Sequence, residues 1–235
     1  MYASRISRLT GSVAREILSH ANNKDILSFA GGLPAPEAFE GLEVGPADVG
    51  SFQYGASEGE RNLRECFAKR FQAKGIQCDY SQVLVSSGAQ QGVDLVSKLF
   101  IEPGRMIVVE NPTYLAAIQS FGLFGADMKS IELESDGLNL EQLDEVLASG
   151  DISFVYLCPS FQNPSGVCYS LEKRKQVAEL LDKHDVILIE DDPYSELNYS
   201  GTATDPICSF LKQAKWIHFS TVSKILAPGL RLGCL

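Results

Sequence analysis

The chain has 235 residues, a formal net charge of −10 at pH 7, 45% hydrophobic residues and 21% charged residues, as is typical of a folded acidic protein. Its apolar runs are far shorter than the roughly 20 residues that cross a bilayer, which argues against a membrane partner. Lysine and arginine form no block, which argues against binding of the nucleic-acid backbone.

The N-terminal segment carries Arg5, Arg8 and Arg15 before its first acidic residue, without the apolar stretch of a secretion signal. Its apolar residues recur at helical spacing, at Ile6, Leu9, Val13 and Ile17. This spacing predicts an amphipathic helix at the start of the chain.

From about residue 82 onward, short β-branched runs alternate with helical patterns. The predicted strands are Gln82–Ser86, Met106–Glu110, Met128–Leu133, Ser153–Cys158, Val186–Glu190 and Trp216–Ser220. The predicted helices are Gly88–Phe100, Thr113–Phe124, Asn139–Ala148 and Leu171–His184. Strands separated by helices indicate right-handed crossovers, and nearly continuous apolar strands indicate burial on both faces. The sequence therefore predicts an α/β fold with a mostly parallel sheet.

Six cysteines lie far apart in the sequence, with no C-x-x-C pair. We interpret them as buried free thiols rather than as zinc ligands or disulfides, so no metal site is predicted. Free thiols favour a reducing compartment, and we expect a cytoplasmic protein.

In an open parallel sheet, reactive residues gather after the carboxyl ends of the strands. Five polar segments occupy such positions in this sequence: Ser86–Gln90, Glu110–Tyr114, Cys158–Pro164, Asp191–Tyr194 and Ser220–Lys224. We expect all five to meet at one edge of the sheet.

Lys224 follows an apolar strand, with hydroxyl residues before it and apolar residues after it. A lysine desolvated in this way has a lowered pKa and can form a Schiff base, although most lysines are simply solvated. Arg231 follows seven residues later, where it could neutralise a phosphate or act as a structural cation.

The turn Ser87–Gln90 places small residues between a strand and a helix, where backbone N–H groups and the helix dipole favour an anion. A plain N-cap by Ser87 explains the same residues. Asp191 ends a strand, where its carboxylate could hold a proton on a heterocyclic nitrogen or could lie in solvent. We interpret the adjacent Asp192 as a solvated loop acid.

Asn163 begins an Asn-Pro-Ser-Gly turn, and its side chain could face a ligand. Tyr114 and Tyr194 could be core aromatics with solvated hydroxyls. The combination is more informative than any member. Together these residues match the requirements of pyridoxal phosphate. On successive strand ends they provide an anion-binding turn, a stacking aromatic, an amide, an acid and a lysine.

These motifs resemble fold-type-I, class I/II aminotransferases, especially the branch with 2-aminoadipate and kynurenine aminotransferases, from about Ser28 to the last residue. The most specific motif is Ser220–Gly233, STVSKILAPGLRLG, which resembles the cofactor-lysine signature of that family. The resemblance implies that Lys224 carries the internal aldimine and that the phosphate is held by Thr221, Ser223 and Arg231.

Two further motifs concern the cofactor ring. Asp191–Tyr194 resembles the D-x-x-Y motif of the family, which implies that Asp191 meets the pyridine nitrogen and Tyr194 the phenolic oxygen. Asn163–Gly166 resembles the N-P-[TS]-G motif, which implies that Asn163 contacts the same oxygen and approaches the substrate carboxylate.

The resemblance also assigns the phosphate turn and the ring-stacking residue. The turn is formed by Gly88, Ala89 and Gln90, with the last two as amide donors. Tyr114, in an Asn-Pro-Thr-Tyr motif, stacks on the ring.

Two residues near the N-terminus complete the site that the resemblance implies. Ser28–Pro36 resembles the substrate-side loop of the branch and points to Gly32. Tyr54 corresponds to a tyrosine that reaches the phosphate in the partner subunit, which implies a homodimer with shared active sites.

The implied reaction is ping-pong transamination between an amino acid and a 2-oxo acid, with 2-oxoglutarate as acceptor. Lys224 moves a proton between Cα and the cofactor carbon, while Asp191 keeps the ring nitrogen protonated. The implied fold is the three-layer α/β/α large domain of the family. We divide the chain into an N-terminal helix and substrate-side loop, residues 1–45, and a cofactor-binding large domain, residues 46–235.

Family members continue beyond the point that corresponds to Leu235, into a small C-terminal domain with the arginine that binds the substrate carboxylate. We therefore expect a fragment or a truncated chain with exposed apolar surface. Such a chain should be poorly soluble or elute as aggregates in size-exclusion chromatography, and elution as a folded monomer would contradict this expectation.

Three alternatives remain at the level of sequence. The same cofactor site serves β-lyases, decarboxylases and aminocyclopropane-carboxylate-type synthases. A transcription regulator with an aminotransferase-like sensor domain would carry a winged helix-turn-helix, for which the 27 residues before Ser28 are too few. The third alternative is an inactive truncated chain that binds cofactor weakly or serves only as a partner subunit.

Overall fold

A computed structural model of the chain describes residues 2–9, 11, 25, 32–43, 45, 49–199, 201 and 205–235. The α-helices in these ranges are α1 (Arg61–Ala73), α2 (Ala89–Phe100), α3 (Leu115–Phe124), α4 (Leu140–Ala148) and α5 (Leu171–His184). The strands are β1 (Val85–Ser86), β2 (Met106–Asn111), β3 (Asp127–Glu134), β4 (Gly137–Leu138), β5 (Ile152–Leu157), β6 (Leu188–Asp191), β7 (Trp216–Thr221) and β8 (Gly233–Cys234).

The eight strands form one sheet in the order β1-β8-β7-β6-β5-β2-β3-β4. The five central strands, from β7 to β3, pair in parallel. The short strands β8, β1 and β4 pair antiparallel with their neighbours. The predicted α/β fold with a mostly parallel sheet is confirmed.

The sheet separates two apolar cores, and β5 supplies side chains to both. Val155 and Leu157 join the core that contains buried residues of α1, α4 and α5. Phe154 and Tyr156 join the core under α2 and α3, where the rings of Phe121 and Phe154 meet edge to face at 5.4 Å between centroids. This alternation places helices on both faces of the sheet and gives the predicted three layers.

Most predicted element bounds differ from the structure by one or two residues, and two of the larger differences have a local cause. The predicted strand Gln82–Ser86 shrinks to β1, because residues 80–82 form a 3-10 helix in which Asp79 accepts from the N–H of Ser81 and Gln82 bonds back to Asp79. The predicted helix Thr113–Phe124 begins only at Leu115, because Tyr114 is the N-cap residue with an extended ψ of 118°.

The sequence patterns did not predict α1. This helix buries only Phe67, Ala68 and Phe71 along its apolar side. Its remaining residues are mostly polar, but Leu63, Phe67 and Phe71 recur at intervals of four residues, a helical spacing that the predicted elements above leave out.

The predicted N-terminal helix is described only in part. Ser4–Arg8 forms a 3-10 helix, and the side chains of Ile6 and Leu9 are exposed. Val13 and Ile17 lie outside the described residues. In the portions of the chain that the structure describes, no helix is long and apolar enough to cross a membrane.

All six cysteines are free thiols. Burial is confirmed for Cys158, Cys208 and Cys234. The prediction is wrong for Cys66, which lies on the exposed side of α1.

Strand β8 lies against the turn that precedes α2. A Cβ atom added to Gly233 would lie 2.8 Å from the carbonyl oxygen of Ser220 and 2.8 Å from the carbonyl carbon of Gly88. Both are backbone atoms, so a side chain at this position would push β8 away from β7 and from the turn. The absence of a side chain at Gly233 therefore keeps the predicted phosphate turn against the sheet.

We expect Gly233→Ala to lower the free energy of unfolding by about 1–3 kcal/mol, because overpacking forces backbone segments apart. Gly229→Ala is the matched control, because a Cβ at that position would have no other atom within 4 Å. The control should change the free energy by less than about 0.5 kcal/mol. Urea unfolding followed by circular dichroism measures both, and equal effects of the two substitutions would contradict the packing argument.

Candidate active site

The predicted strand-end segments meet at one edge of the sheet, because β2, β5, β6 and β7 are parallel and their carboxyl ends lie on the same side. Contacts between the segments show this directly. The Nζ atom of Lys224 lies 5.9 Å from the centroid of the Tyr194 ring. The Nδ2 atom of Asn163 donates to the Tyr194 hydroxyl at 3.2 Å. Three separate loops thus contribute to one cluster of polar side chains.

Asp191 is the most constrained member of this cluster. It ends β6 and is only 4% exposed. Its Oδ2 atom accepts a hydrogen bond of 2.6 Å from the Tyr156 hydroxyl, whereas its buried Oδ1 atom has no hydrogen-bond partner among the described residues. Burial raises the pKa of Asp191 to about 6. A buried acceptor without a partner is complementary to an N–H donor, and a protonated ring nitrogen is such a donor.

Lys224 follows β7 and is partly buried. Its Nζ atom donates to the carbonyl oxygen of Gly32 at 2.7 Å. Burial lowers the pKa of Lys224, as the apolar sequence around it predicts. The lysine therefore exists as a neutral amine in a larger fraction of molecules than a solvated lysine does.

Tyr194 and Tyr114 are both partly buried near these groups. Burial raises the pKa of Tyr194 to about 12, so its hydroxyl keeps its proton at neutral pH and can donate it to an acceptor. The pKa of Tyr114 is also raised, first by burial and then by the negative charge of Asp191, while Arg231 opposes the shift. Tyr114 therefore lies within electrostatic range of both charged groups.

The turn before α2 forms a corner whose backbone geometry suits an anion. Gly88, with a φ of 82°, is the N-cap residue, and no side chain caps the helix. The alternative interpretation of Ser87 as the N-cap is therefore wrong. Ala89 and Gln90 begin the helix, so their N–H groups belong to the first turn, where an anion is favoured.

Arg231 adds a cation to this corner. Its Nη2 atom donates to the Ser87 carbonyl at 3.1 Å, and a Cβ atom on Gly88 would lie 2.9 Å from the same nitrogen. Nearby, the Thr221 hydroxyl donates to the Ser223 hydroxyl at 2.9 Å and accepts from the Ser223 N–H at 3.2 Å. A guanidinium, two hydroxyls and a helix N-terminus provide the donors that a phosphate group requires.

Two predicted residues near the N-terminus have different environments. Gly32 joins the cluster through its carbonyl oxygen. Residues 28–31 of its loop lie outside the described residues. Tyr54 is 99% exposed, and none of the hydrogen bonds described for it joins its ring to the cluster. Tyr54 therefore lies apart from the cluster within this chain.

The interpretation of Asp192 as a solvated loop acid is wrong. Asp192 is 5% exposed, and its Oδ2 atom accepts from Lys74 Nζ at 3.0 Å and from the Ser195 hydroxyl at 2.6 Å. Burial alone would raise its pKa, but the neighbouring His218 and Lys74 hold the pKa of Asp192 well below its usual value. Its Oδ1 atom also accepts from the Ser195 N–H at 3.1 Å, which fixes the chain just after Tyr194.

Sequence reasoning missed Tyr156, Glu110 and Gln162. Tyr156 donates to Asp191, and its sequence signal is a tyrosine in an otherwise mostly apolar strand. Glu110 and Gln162 lie inside the predicted strand-end segments but were given no role there. Gln162 donates to Glu110 at 3.1 Å, so the two are buried partners within the site.

Comparison with known proteins places this geometry in a family. Residues 42–235 match the family described as aminotransferase class I and II. The chain is 38% identical to aromatic-amino-acid aminotransferase 1 of Thermococcus litoralis, over 99% of this chain and 59% of that protein. It is 35% identical to 2-aminoadipate transaminase of Thermus thermophilus, over 96% of this chain and 58% of that protein.

A solved structure shows the same fold. The structure of Pyrococcus horikoshii kynurenine aminotransferase in complex with PMP gives a TM-score of 0.87 at 34% identity, and the match covers 100% of this chain and 61% of that one. This chain thus spans about three fifths of the length of these relatives. The predicted cofactor, pyridoxal 5′-phosphate, is confirmed by the family match. Because that match covers most of the sequence, the chain belongs to the class I and II aminotransferases.

Proposed function

We propose that the chain provides the cofactor-binding part of an aminotransferase that moves an amino group from an amino acid to a 2-oxo acid, with 2-oxoglutarate as acceptor. The observation that supports this most strongly is the buried Oδ1 atom of Asp191, which has no hydrogen-bond partner among the described residues and lies at the same sheet edge as the partly buried Lys224. When bound, pyridoxal phosphate supplies an aldehyde that reacts with amines and a ring that withdraws electrons.

Asp191 holds a proton on the ring nitrogen in this proposal. Its carboxylate is already positioned by the bond of 2.6 Å from Tyr156, so only Oδ1 remains to accept a donor. A protonated nitrogen would offset the cost of ionising a buried acid. The residue and the protonated ring therefore stabilise each other.

Lys224 supplies the amine that bonds to the cofactor and that moves a proton at Cα of the amino acid. Its lowered pKa favours both roles, because a nucleophile and a general base must be unprotonated. Since amino acid and 2-oxo acid would use this one lysine site in turn, we expect ping-pong kinetics.

The other residues bind and orient the cofactor. Asn163 and Tyr194, already joined at 3.2 Å, donate to the phenolic oxygen, and Tyr114 covers the ring. The phosphate is held by Gly88, Ala89, Gln90, Thr221, Ser223 and Arg231. Asn163 also approaches the substrate carboxylate.

A homodimer completes the proposed site. Tyr54 would reach the phosphate bound by the other subunit, and the neighbouring side chains of Val49 and Phe52 are likewise exposed apolar groups. The contact of Gly32 with Lys224 supports a substrate-side role for residues 1–45, with residues 46–235 as the cofactor-binding domain. The relatives named for aromatic amino acids, 2-aminoadipate and kynurenine favour an aromatic or dicarboxylic substrate.

The first test is the absorption spectrum of the protein with pyridoxal phosphate. We expect a bound-cofactor band that borohydride reduces irreversibly in the parent protein and that is lost in Lys224→Ala, because the variant lacks the amine. Lys98→Ala is the control, since its ammonium pairs with Asp94 on the surface of α2. Loss of the band in both variants, or in neither, would contradict the assignment of Lys224.

A second prediction concerns the pH dependence of stability without cofactor. The folded-state pKa of Asp191 is raised from 3.8 to about 6, so ionisation destabilises the fold as the pH rises through this range. We expect Asp191→Asn to be more stable than the parent at pH 8 by up to about 3 kcal/mol, and equally stable near pH 4. The pKa of Glu110 is also raised, but Glu110 is present in both proteins, so its contribution to the pH dependence of stability cancels in the comparison.

Urea unfolding at pH 4, 6 and 8 measures this difference. Saturating pyridoxal phosphate should reverse the order at pH 8, because only the aspartate can pair with a protonated ring nitrogen. A difference that does not vary with pH would show that the charge of Asp191 is not its cause.

A further inference from the structure

Glu110 is a buried carboxylate beneath the proposed cofactor site. It is the penultimate residue of β2 and is 1% exposed. Its two oxygens accept from the Cys158 N–H at 3.2 Å each, from Gln162 Nε2 at 3.1 Å and from the Tyr169 hydroxyl at 2.8 Å. These donors stand at the beginning, the middle and the end of one loop, which we call the Asn163 loop (residues 158–169). One carboxylate therefore holds the whole loop that carries Asn163.

Gln162 extends this connection in two directions. Its Nε2 atom also donates to the Pro112 carbonyl at 2.7 Å. Its Oε1 atom accepts from the Ser165 N–H at 2.9 Å and from the Ser165 hydroxyl at 2.7 Å. Because acceptors surround Nε2 and donors surround Oε1, only one orientation of the amide satisfies all partners.

The two ends of this connection lie next to proposed cofactor residues. Pro112 is two residues before Tyr114, and Ser165 is two residues after Asn163. The chain of contacts from Glu110 through Gln162 thus links the segment proposed to cover the ring to the segment proposed to bind its phenolic oxygen.

We propose that Glu110 is a positioning residue, which holds Asn163 and Tyr114 in the geometry that binds the cofactor, acting through Gln162. The inference rests on the proposed function, because it concerns residues to which that proposal gives a role at the cofactor.

The charge of the carboxylate suits this role. Three donors converge on Glu110, and an ionised carboxylate can accept from all of them, whereas a side-chain amide brings donors of its own. Burial raises the pKa of Glu110 to about 7, against the hydrogen bonds that lower it. The titratable groups in electrostatic range of Glu110 are Tyr156 and Cys158 at the end of β5, Tyr169 in the Asn163 loop and Asp191 on β6.

Glu190 provides a matched control. It is a buried carboxylate on β6 that also accepts two backbone N–H groups, from Ile207 and Cys208, at 2.9 Å each. These donors belong to a 3-10 helix, Ile207–Phe210, that carries no proposed site residue. Loss of charge at Glu190 should therefore destabilise the protein without disturbing the cofactor.

The first experiment is amide hydrogen exchange of the cofactor-free protein, read by mass spectrometry. We expect exchange in the Asn163 loop to accelerate about tenfold or more in Glu110→Gln and to remain unchanged in Glu190→Gln, where the segment 206–210 accelerates instead. Unchanged exchange of the Asn163 loop in Glu110→Gln would overturn the inference without any reference to the cofactor.

The second experiment is a pH titration of the absorption spectrum with bound pyridoxal phosphate. Weaker hydrogen bonding to the phenolic oxygen disfavours its ionised form, so Glu110→Gln should raise the midpoint of the spectral change by about half to one pH unit. Asn163→Ala should raise it similarly, and the double variant should shift it no further.

A merely structural role would lower stability without moving this midpoint, as we expect for Glu190→Gln. An unmoved midpoint, or additive shifts in the double variant, would overturn the inference while leaving the proposed function in place. Absence of cofactor binding in the parent protein would instead overturn the proposed function, and the inference with it. If Glu110→Gln does not fold, Tyr169→Phe is the alternative variant, because it removes only one donor to Glu110. It should accelerate exchange in the Asn163 loop and raise the spectral midpoint, both by less than the values given for Glu110→Gln.

Discussion

The candidate site at this edge of the sheet depends on the buried carboxylate of Asp191, whose Oδ2 atom has a hydrogen-bond partner and whose Oδ1 atom has none among the described residues. Asp191 lies at the end of a central strand, where desolvation opposes its ionisation, and the single bond from Tyr156 offsets only part of that cost. The remaining cost is removed when a positively charged donor reaches Oδ1. Without such a donor, the ionised Asp191 destabilises the fold. Binding of the donor removes this cost, and the gain is part of its binding free energy.

The loops around this carboxylate are irregular yet buried, so their N–H groups need acceptors inside the protein. Acids at the ends of the parallel strands supply them. Glu110 on β2 holds the loop after β5, Asp192 after β6 fixes the chain next to Tyr194, and Glu190 on β6 anchors the segment that leads to β7. Regular strands thus set the positions of the acids, and the acids set the positions of the loops and short 3-10 helices that connect the strands.

The sequence predicted the central strands and four of the helices because their apolar runs are continuous and well separated. It also predicted which strand-end segments meet, because parallel strands place their carboxyl ends together. It did not predict the burial of Asp192, whose partner Lys74 is 118 residues away in the chain. The sequence around either residue does not indicate an ion pair between positions so far apart in the chain. For the same reason, Tyr156 and Glu110 appeared as ordinary strand residues until their partners from other strands and loops were known.

The acceptor that faces Lys224 explains why burial is able to lower the pKa of this amine. A carboxylate beside the lysine would stabilise the ammonium form and raise its pKa. The carbonyl oxygen of Gly32 instead accepts one N–H at 2.7 Å without adding a full charge, so partial burial still lowers the pKa. Gly32 has a φ of 55°, a conformation that favours glycine, and a Cβ at this position would lie 3.8 Å from Nζ. A neutral acceptor at this position therefore satisfies one N–H of the lysine and leaves burial as the main influence on its pKa, as the role proposed for this amine requires.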